Sequence, residues 1–314
     1  MILVAGSANL DFVVRAGHIP APGETVLGRD FETFPGGKGA NQAIASARAG
    51  GAATEMLLAL GNDAFAKPIE DSLSASGVRM HTVRVDDQPT GTAFICVADD
   101  AENAITVAPG ANGALLPSHL PSLQGYSHLL LQLETPVETV TAYARAAREQ
   151  NVKVVLNAAP AQELTAELLS LIDVLIVNKG ELATVSAHRG GHGSVEQCLE
   201  RIDVPVVVVT LGANGCCARI NHEGEEKFLM QDAFAVMPVD TTAAGDTFCG
   251  VLVAALSNNL GLAEAMRRAN AAGALACTRP GAQSSIPTVA EVDAFLQGKQ
   301  TADPSPALPI HPAR

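Results

Sequence analysis

The stretch that decides the architecture runs from Leu129-Leu130-Leu131, through Thr135-Pro136-Val137-Glu138 and on to about Gln150, to Lys153-Val154-Val155-Leu156. Its ends are short apolar runs, which suit strands covered on both faces of a parallel sheet. Its middle reads as a capping box with proline at the first helical position, so a helix is expected between the strands. Similar short runs recur at Ile2 to Ala5, Val174 to Val177 and Val206 to Thr210, and a second capping box, Thr288-Val289-Ala290-Glu291, opens the last helix. The alternation predicts an α/β layered fold around a central, mostly parallel sheet.

Two regions interrupt this rhythm. Residues from about Phe12 to Phe34 carry Pro20, Pro22, Gly23 and Gly28 among short extended pieces, and residues from about Thr90 to Val107 alternate as in a hairpin around Asp99-Asp100. Both read as short antiparallel strands outside the main sheet, forming one small lid from two insertions; ordinary surface hairpins are the alternative. The single large domain is expected to occupy residues 1–297. From Gly298 to Arg314 the prolines at 304, 306, 309 and 312 oppose helix and central strand, so an extended or disordered tail is expected.

The chain has 314 residues, with 20 basic against 33 acidic side chains and a formal net charge of -13. Such a field opposes binding to nucleic acid or an anionic membrane. The six cysteines are Cys96, Cys198, Cys216, Cys217, Cys249 and Cys277. They form no C-x-x-C pair and read as reduced thiols of a cytoplasmic protein. The start, Met1-Ile2-Leu3-Val4-Ala5-Gly6, reads as a buried strand rather than a leader. No apolar run approaches the roughly 20 residues that span a bilayer.

Two segments can carry chemistry. In Gly36-Gly37-Lys38-Gly39-Ala40-Asn41-Gln42-Ala43 the glycines allow a sharp turn and close backbone approach, and a small-residue helix follows to about Ala49. It is neither a Walker A loop nor a dinucleotide fingerprint. A plain tight turn is the alternative, but Lys38 and Asn41 favour recognition of hydroxyls or phosphate. The second segment, Asp240-Thr241-Thr242-Ala243-Ala244-Gly245-Asp246-Thr247-Phe248, precedes an apolar helical stretch. The first amides of a helix lack partners inside it and suit developing negative charge. Asp246 in that turn would be a base beside an anion hole formed by the amides of Ala243, Ala244, Gly245 and Asp246, as phosphoryl transfer to an alcohol needs. A simple helix cap is the alternative.

With these pieces in order, the chain resembles the PfkB family of carbohydrate kinases from Met1 to about Gln297. The shared pieces include Gly6-Ser7-Ala8-Asn9-Leu10-Asp11, the glycine segment, Gln132-Leu133-Glu134, Asn157-Ala158-Ala159-Pro160, Thr210-Leu211-Gly212, Asp240 to Phe248 and Arg279-Pro280-Gly281-Ala282-Gln283. The resemblance implies a three-layer α/β/α sandwich with a small β-sheet lid over a sugar site. It implies that Asn9, Asp11, Gly37, Lys38, Asn41 and Glu134 bind sugar hydroxyls and that Asp246 is the catalytic base. It implies ATP and magnesium, with Asn178-Lys179-Gly180-Glu181 matching an Asn-x-x-Glu motif in which the two anchors share a helix face and Glu181 holds magnesium through water. Lys179 and Gly180 depart from the residues often found between those anchors. Thr210, Leu211, Gly212, Ala213, Asn214 and Gly215 would underlie the nucleotide together with Gly245, and Asn270 stands where relatives often carry histidine near the adenine. Potassium is implied at Asp240, Thr242, Ala276, Arg279, Gly281 and Ser285, mostly through main-chain carbonyls.

The reaction so implied is transfer of the γ-phosphoryl group of ATP to the 5-hydroxyl of D-ribose. Deoxyribose, fructose or a nucleoside are rival acceptors, a non-catalytic sugar or nucleotide sensor is a rival class, and a nicotinamide dehydrogenase is weakened by the missing fingerprint. A homodimer through the lid is expected, because apolar extended strands need a partner surface. His188 to His192 reads as a surface loop rather than a metal site, and Asp86-Asp87 and the run Glu223 to Lys227 read as turn surfaces.

Overall fold

The structure, a computed structural model, describes residues 1–100, 102–187, 193–222 and 224–300. The strands of the main sheet are β1 (Ile2–Ala5), β4 (Thr54–Gly61), β5 (Arg79–Val85), β8 (His128–Leu131), β9 (Lys153–Asn157), β10 (Val174–Asn178), β11 (Val206–Thr210), β12 (Cys216–His222) and β13 (Glu225–Gln231). They lie in the order β13-β12-β11-β10-β9-β8-β1-β4-β5, parallel throughout except for the antiparallel β12 and β13 at one edge. The helices are α1 (Lys38–Ile44), α2 (Ala66–Ala75), α3 (Val137–Glu149), α4 (Ala166–Leu171), α5 (Lys179–Ala187), α6 (Val195–Leu199), α7 (Ala244–Ser257), α8 (Leu262–Ala276) and α9 (Val289–Gln300).

Because successive side chains of a strand point to opposite faces, each buried strand feeds two cores. In β1, Ile2 and Val4 join the core made with α1, α2, α7, α8 and α9, while Leu3 and Ala5 join the core made with α3 to α6. This is the expected three-layer sandwich. The helix after β8 runs from Val137 to Glu149 as its sequence suggested, but its capping box does not form. Pro136 itself is the residue before the helix, in an extended conformation, so Thr135 stands one position too early to reach the amide it would cap. The capping box at α9 does form: Glu291 N–H donates to Thr288 Oγ1 at 3.3 Å and Thr288 N–H to Glu291 Oε2 at 2.7 Å.

The lid is a separate four-stranded sheet in the order β3-β2-β6-β7, with β2 at Asn9–Arg15, β3 at Arg29–Gly36, β6 at Gly91–Val97 and β7 at Asn103–Ala108. Two expectations are corrected here. The first lid strand begins at Asn9, so Asn9 and Asp11 belong to it, and β2 pairs with β6 in parallel while the two hairpins are antiparallel. Both insertions leave the main sheet from the carboxyl ends of parallel strands, β1 and β5, so their first strands set out in the same direction. Phe12, Phe31 and Phe94 stack across one face, with Phe31 64% and Phe94 54% exposed.

Two other expectations fail locally. Glu225 to Lys227 lie in β13 rather than in a turn, and Glu226 accepts a 3.0 Å hydrogen bond from the buried Arg219 of β12. Helix α9 continues to Gln300, past the glycine at 298, because a single glycine weakens a helix without ending it. The remainder of the proline-bearing tail and the histidine loop at 188–192 lie outside the described residues. Among the described residues no cysteine forms a disulfide. Among the described residues no helix is long and apolar enough to cross a membrane.

Candidate active site

In open parallel sheets, ligands gather beyond the carboxyl ends of the strands. The candidate residues lie there: Ser7 and Asn9 follow β1, Gln132 and Glu134 follow β8, and Asn157, Asn178 and Thr210 end β9, β10 and β11. Helices α1 and α7 close the arrangement from one layer. They cross tightly at Gly250, where a Cβ atom would stand 2.5 Å from the carbonyl oxygen of Gln42. That approach brings the start of α1 against the first turn of α7.

Asp246 lies in this turn and is buried. Asn41 Nδ2 donates to its Oδ2 at 3.0 Å and Gln42 Nε2 donates to its Oδ1 at 2.9 Å. The Oδ1 atom of Asn41 is buried without a partner inside the protein, an acceptor suited to a hydroxyl. Ala243, just before the helix, adopts a left-handed conformation with φ 56°, which costs a non-glycine residue on the order of 1 kcal/mol. It turns the chain so that the N–H groups of Ala243, Gly245 and Asp246 have no acceptor within the described protein. The amide of Ala244, expected among the anion-hole donors, instead donates to the Thr241 carbonyl at 3.3 Å.

On the lid side, Gly36 and Gly37 let strand β3 pass directly into α1 beneath β2. A Cβ at Gly36 would stand 2.1 Å from Asp11 Oδ2, and Gly37 adopts φ 88°, where a Cβ would stand 2.7 Å from Asn9 N. Glu134 Oε2 accepts from Ser7 Oγ at 2.5 Å and from Lys38 N–H at 3.2 Å, and Ser7 Oγ accepts in turn from Gly39 N–H at 3.3 Å. Asn9 Oδ1 accepts from Asn112 Nδ2 at 2.8 Å, while Asn112 Oδ1 accepts from Ala8 N–H at 3.0 Å. The amide of Asn9 is thereby oriented with its oxygen spent and its NH2 left for a ligand.

Carboxyl groups converge here. Burial, then the neighbouring charges of Glu134 and Asp246, push the Asp11 carboxyl up to about 7. Asp246 and then, against a smaller effect of burial, Glu134 and Glu181 hold the Lys38 ammonium above its ordinary value. Lys38 itself lines a cleft of about 160 Å³ together with Asn178, Glu181, Thr210, Ala243, Gly245 and Asp246. Cys249 lines the same cleft, but burial and then the charge of Asp246 push its thiol up, which disfavours the thiolate a nucleophile needs.

Asn178 and Glu181 bind each other rather than only sharing a face. Asn178 N–H donates to Glu181 Oε2 at 2.7 Å and Glu181 N–H donates to Asn178 Oδ1 at 2.9 Å, a reciprocal cap of α5. Burial raises the Glu181 carboxyl, opposed by that backbone donor and by Lys38. Of the expected nucleotide turn, Thr210 reaches the cleft, and Leu211 to Gly215 form a short turn beyond β11 in which Leu211 N–H donates to the Gly215 carbonyl at 2.8 Å. The amide of Asn270 donates to the carbonyls of Gln231 and Asp232 at 3.2 and 3.3 Å, at the end of β13.

Asp240 ties two segments together. Its Oδ1 accepts from the Thr242 N–H at 2.9 Å and from the Thr242 hydroxyl at 2.6 Å, and its Oδ2 accepts from Gly281 N–H at 2.9 Å. Partial burial pushes this carboxyl up, but the three donors outweigh it and hold it below its ordinary value. Ala276 ends α8, and its carbonyl accepts from Arg279 N–H at 3.2 Å; Arg279 turns its side chain away to Glu291; Ser285 is fully buried. Among the described residues there is no cluster of three acidic, histidine or cysteine side chains that could hold a metal.

Residues 1–289 match the family described as pfkB family carbohydrate kinase. The chain belongs to that family. This kinase is 38% identical to a ribokinase of Haemophilus influenzae over 307 residues, covering 94% of the chain and 98% of the relative. It is 34% identical to a ribokinase of Bacillus subtilis, covering 94% and 99%. Its fold is similar to that of Thermotoga maritima ribokinase, with TM-score 0.85, 37% identity and coverage of 94% and 99%. It is also similar to Arabidopsis thaliana ribokinase complexed with ribose and ATP, with TM-score 0.84, 31% identity and coverage of 94% and 98%.

Several residues of the kinase's site went unassigned in the sequence: Ser7, Gln42, Asn112, Gln132 and Asn157. Two amides side by side in the otherwise small-residue helix Ala40-Asn41-Gln42-Ala43 were a usable signal for Gln42. Nothing local distinguishes Asn112, which meets Asn9 across 103 positions.

Proposed function

We infer that this kinase transfers the γ-phosphoryl group of ATP to the 5-hydroxyl of D-ribose, giving ribose 5-phosphate and ADP. One arrangement carries this most directly: a buried carboxylate, Asp246, with both oxygens held by amides, beside unpartnered helix N–H groups and a lysine. The acceptor oxygen forms a bond to the γ-phosphorus as the bridging bond to the β-phosphate breaks. The leaving ADP keeps the electron pair and the hydroxyl proton passes to Asp246. The amides of Ala243, Gly245 and Asp246 and the Lys38 ammonium stabilise the charge on the moving phosphoryl group.

Asn9, Asp11, Gly37, Asn41 and Glu134 would hold the sugar hydroxyls, with acceptors and donors of both kinds in reach. The Thr210 to Gly215 turn would lie under the nucleotide. Magnesium, bound with ATP, would neutralise phosphate charge; the unengaged Oε1 of Glu181, at the cleft wall, fits a hydration-shell partner. Potassium would be held by carbonyls of Asp240, Thr242, Ala276, Arg279, Gly281 and Ser285, stiffening the segment that leads into Ala243. Turnover is therefore expected to fall when potassium is replaced by tetramethylammonium. Equal turnover in the two buffers would remove the ion from the assignment.

The deciding experiment is a panel of pentoses, hexoses and nucleosides with ATP and magnesium. D-Ribose is expected to give the highest kcat/KM, and a larger value for fructose, deoxyribose or a nucleoside would overturn the substrate. Absence of ADP release with every acceptor would favour a sensor. The exposed Phe31, Phe94 and Ile105 support pairing of two copies through the lid. The absence of any disulfide among the six cysteines supports a cytoplasmic location.

The Asp11 carboxyl, raised to about 7 by burial and then by Glu134 and Asp246, adds a pH dependence. A protonated Asp11 accepts fewer hydroxyl protons than a carboxylate. Ribose affinity without nucleotide is expected to rise as pH increases through neutrality, read by calorimetry. The same shift works against stability. A carboxyl raised in the folded state binds more protons than in the unfolded chain between their two values, so stability falls as pH rises across that window. Ribose affinity independent of pH across neutrality would dissociate Asp11 from the hydroxyls.

A further inference from the structure

We propose that Gln42 is a positioning residue for the reaction, a fixed amide that sets the orientation of Asp246. This rests on Asp246 acting as the base. Gln42 is fully buried, and its three hydrogen bonds run to three different segments: the first turn of α7, the end of β9 and the residue after β8. Its Nε2 donates to Asp246 Oδ1 at 2.9 Å and to Asn157 Oδ1 at 2.9 Å, and its Oε1 accepts from Gln132 Nε2 at 2.6 Å.

The direction of this chain follows from its ends, not from a choice of amide rotamer. Asn157 Nδ2 donates to the main-chain carbonyl of Ile176 at 3.2 Å, and a carbonyl can only accept. Asn157 must therefore turn its oxygen to Gln42, Gln42 must answer with its NH2, and the Gln42 oxygen must then face the NH2 of Gln132. The NH2 of Gln42 is thus aimed at Asp246, whose carboxylate oxygen can only accept. Asn41 holds the other oxygen, so the two amides together fix the rotation of the carboxyl plane. A base misplaced by a fraction of an ångström loses rate without losing its substrate.

Two substitutions test this. Q42L removes the donor and is expected to lower kcat about 10- to 100-fold while changing ribose KM by less than about threefold. Q42E keeps the shape and, with one shared proton, can still donate to Asp246 and accept from Gln132. Above the loss of that proton, two adjacent carboxylates repel. The ratio of Q42E to wild-type turnover is therefore expected to fall as pH rises. Asp11, Glu134, Lys38, Glu181 and Cys249 surround the cluster in both proteins, which is why the ratio is read rather than either profile alone. Wild-type kcat in Q42L, or a Q42E ratio flat with pH, would overturn the role and leave Gln42 as packing. If D246N also keeps near-normal turnover, the base assignment itself fails. If D246N is inactive while Q42L is normal, only the role of Gln42 falls.

Discussion

Replacing Asp246 by asparagine is expected to leave ribose binding largely intact and to lower kcat about 10²- to 10⁴-fold, the usual span for loss of a general base. The physical reason lies in what the carboxylate does at this place. Asn41 and Gln42 both donate to it, and both oxygens accept. An asparagine side chain offers one oxygen and one NH2, so it can satisfy one of the two amides and must turn a donor toward the other. It can take no proton from an incoming hydroxyl. Under the proposed function the sugar would keep Asn9, Asp11, Asn41 and Glu134, so calorimetric affinity for ribose measures the ground state and single-turnover kinetics measure the chemistry. A D246N protein within about threefold of wild-type kcat would show that the proton leaves by another route, since a general base is worth far more than that. A thermal melt of the same sample separates lost chemistry from lost fold.

Replacing Lys38 by methionine is expected to lower kcat/KM for ATP about 10²- to 10³-fold, the scale for removing one donor from a charge-stabilising set. Lys38 lies within the field of three carboxylates, those of Asp246, Glu134 and Glu181. Asp246 raises its ammonium most strongly, and Glu134 and Glu181 add to that effect. Its charge compensates these carboxylates, and under the proposed function it would also face the phosphates of ATP. Methionine keeps much of the length and removes the charge, so the main-chain bond from residue 38 to Glu134 can persist. The loss should appear mainly with ATP as the varied substrate and much less in ribose affinity. Steady-state kinetics with each substrate varied in turn provide the check. An unchanged kcat/KM for ATP would place Lys38 on the sugar side alone, as the family resemblance implied.

The layered fold could be read from strand-like runs such as Val206 to Thr210 because burial on both faces leaves a local mark in the residues themselves. The capping box at Thr288 was readable for the same reason, and the one at Thr135 was misread because only the backbone path through Pro136 decides where a helix begins. The lid was located but not its pairing: β2 beside β6 joins residues about 80 positions apart through the exits of two other strands, a relation no local pattern encodes.

For the site, the division runs the same way. What the sequence determined by itself is the set of chemical groups and the turns that carry them: Gly36 and Gly37 ahead of a helix, and Asp246 within a run of small residues. Those properties belong to the local chain, where steric freedom and unpaired amides act within a few bonds. What only the tertiary structure decided is partnership. Gln42 reaches Asp246 across 204 positions because two helices cross at Gly250, Asn112 orients Asn9 from another segment, and Asn270 spends its amide on a neighbouring strand end. Hydrogen bonds depend on position to within a few tenths of an ångström, and that position is set by the packing of the whole core rather than by any one stretch of chain.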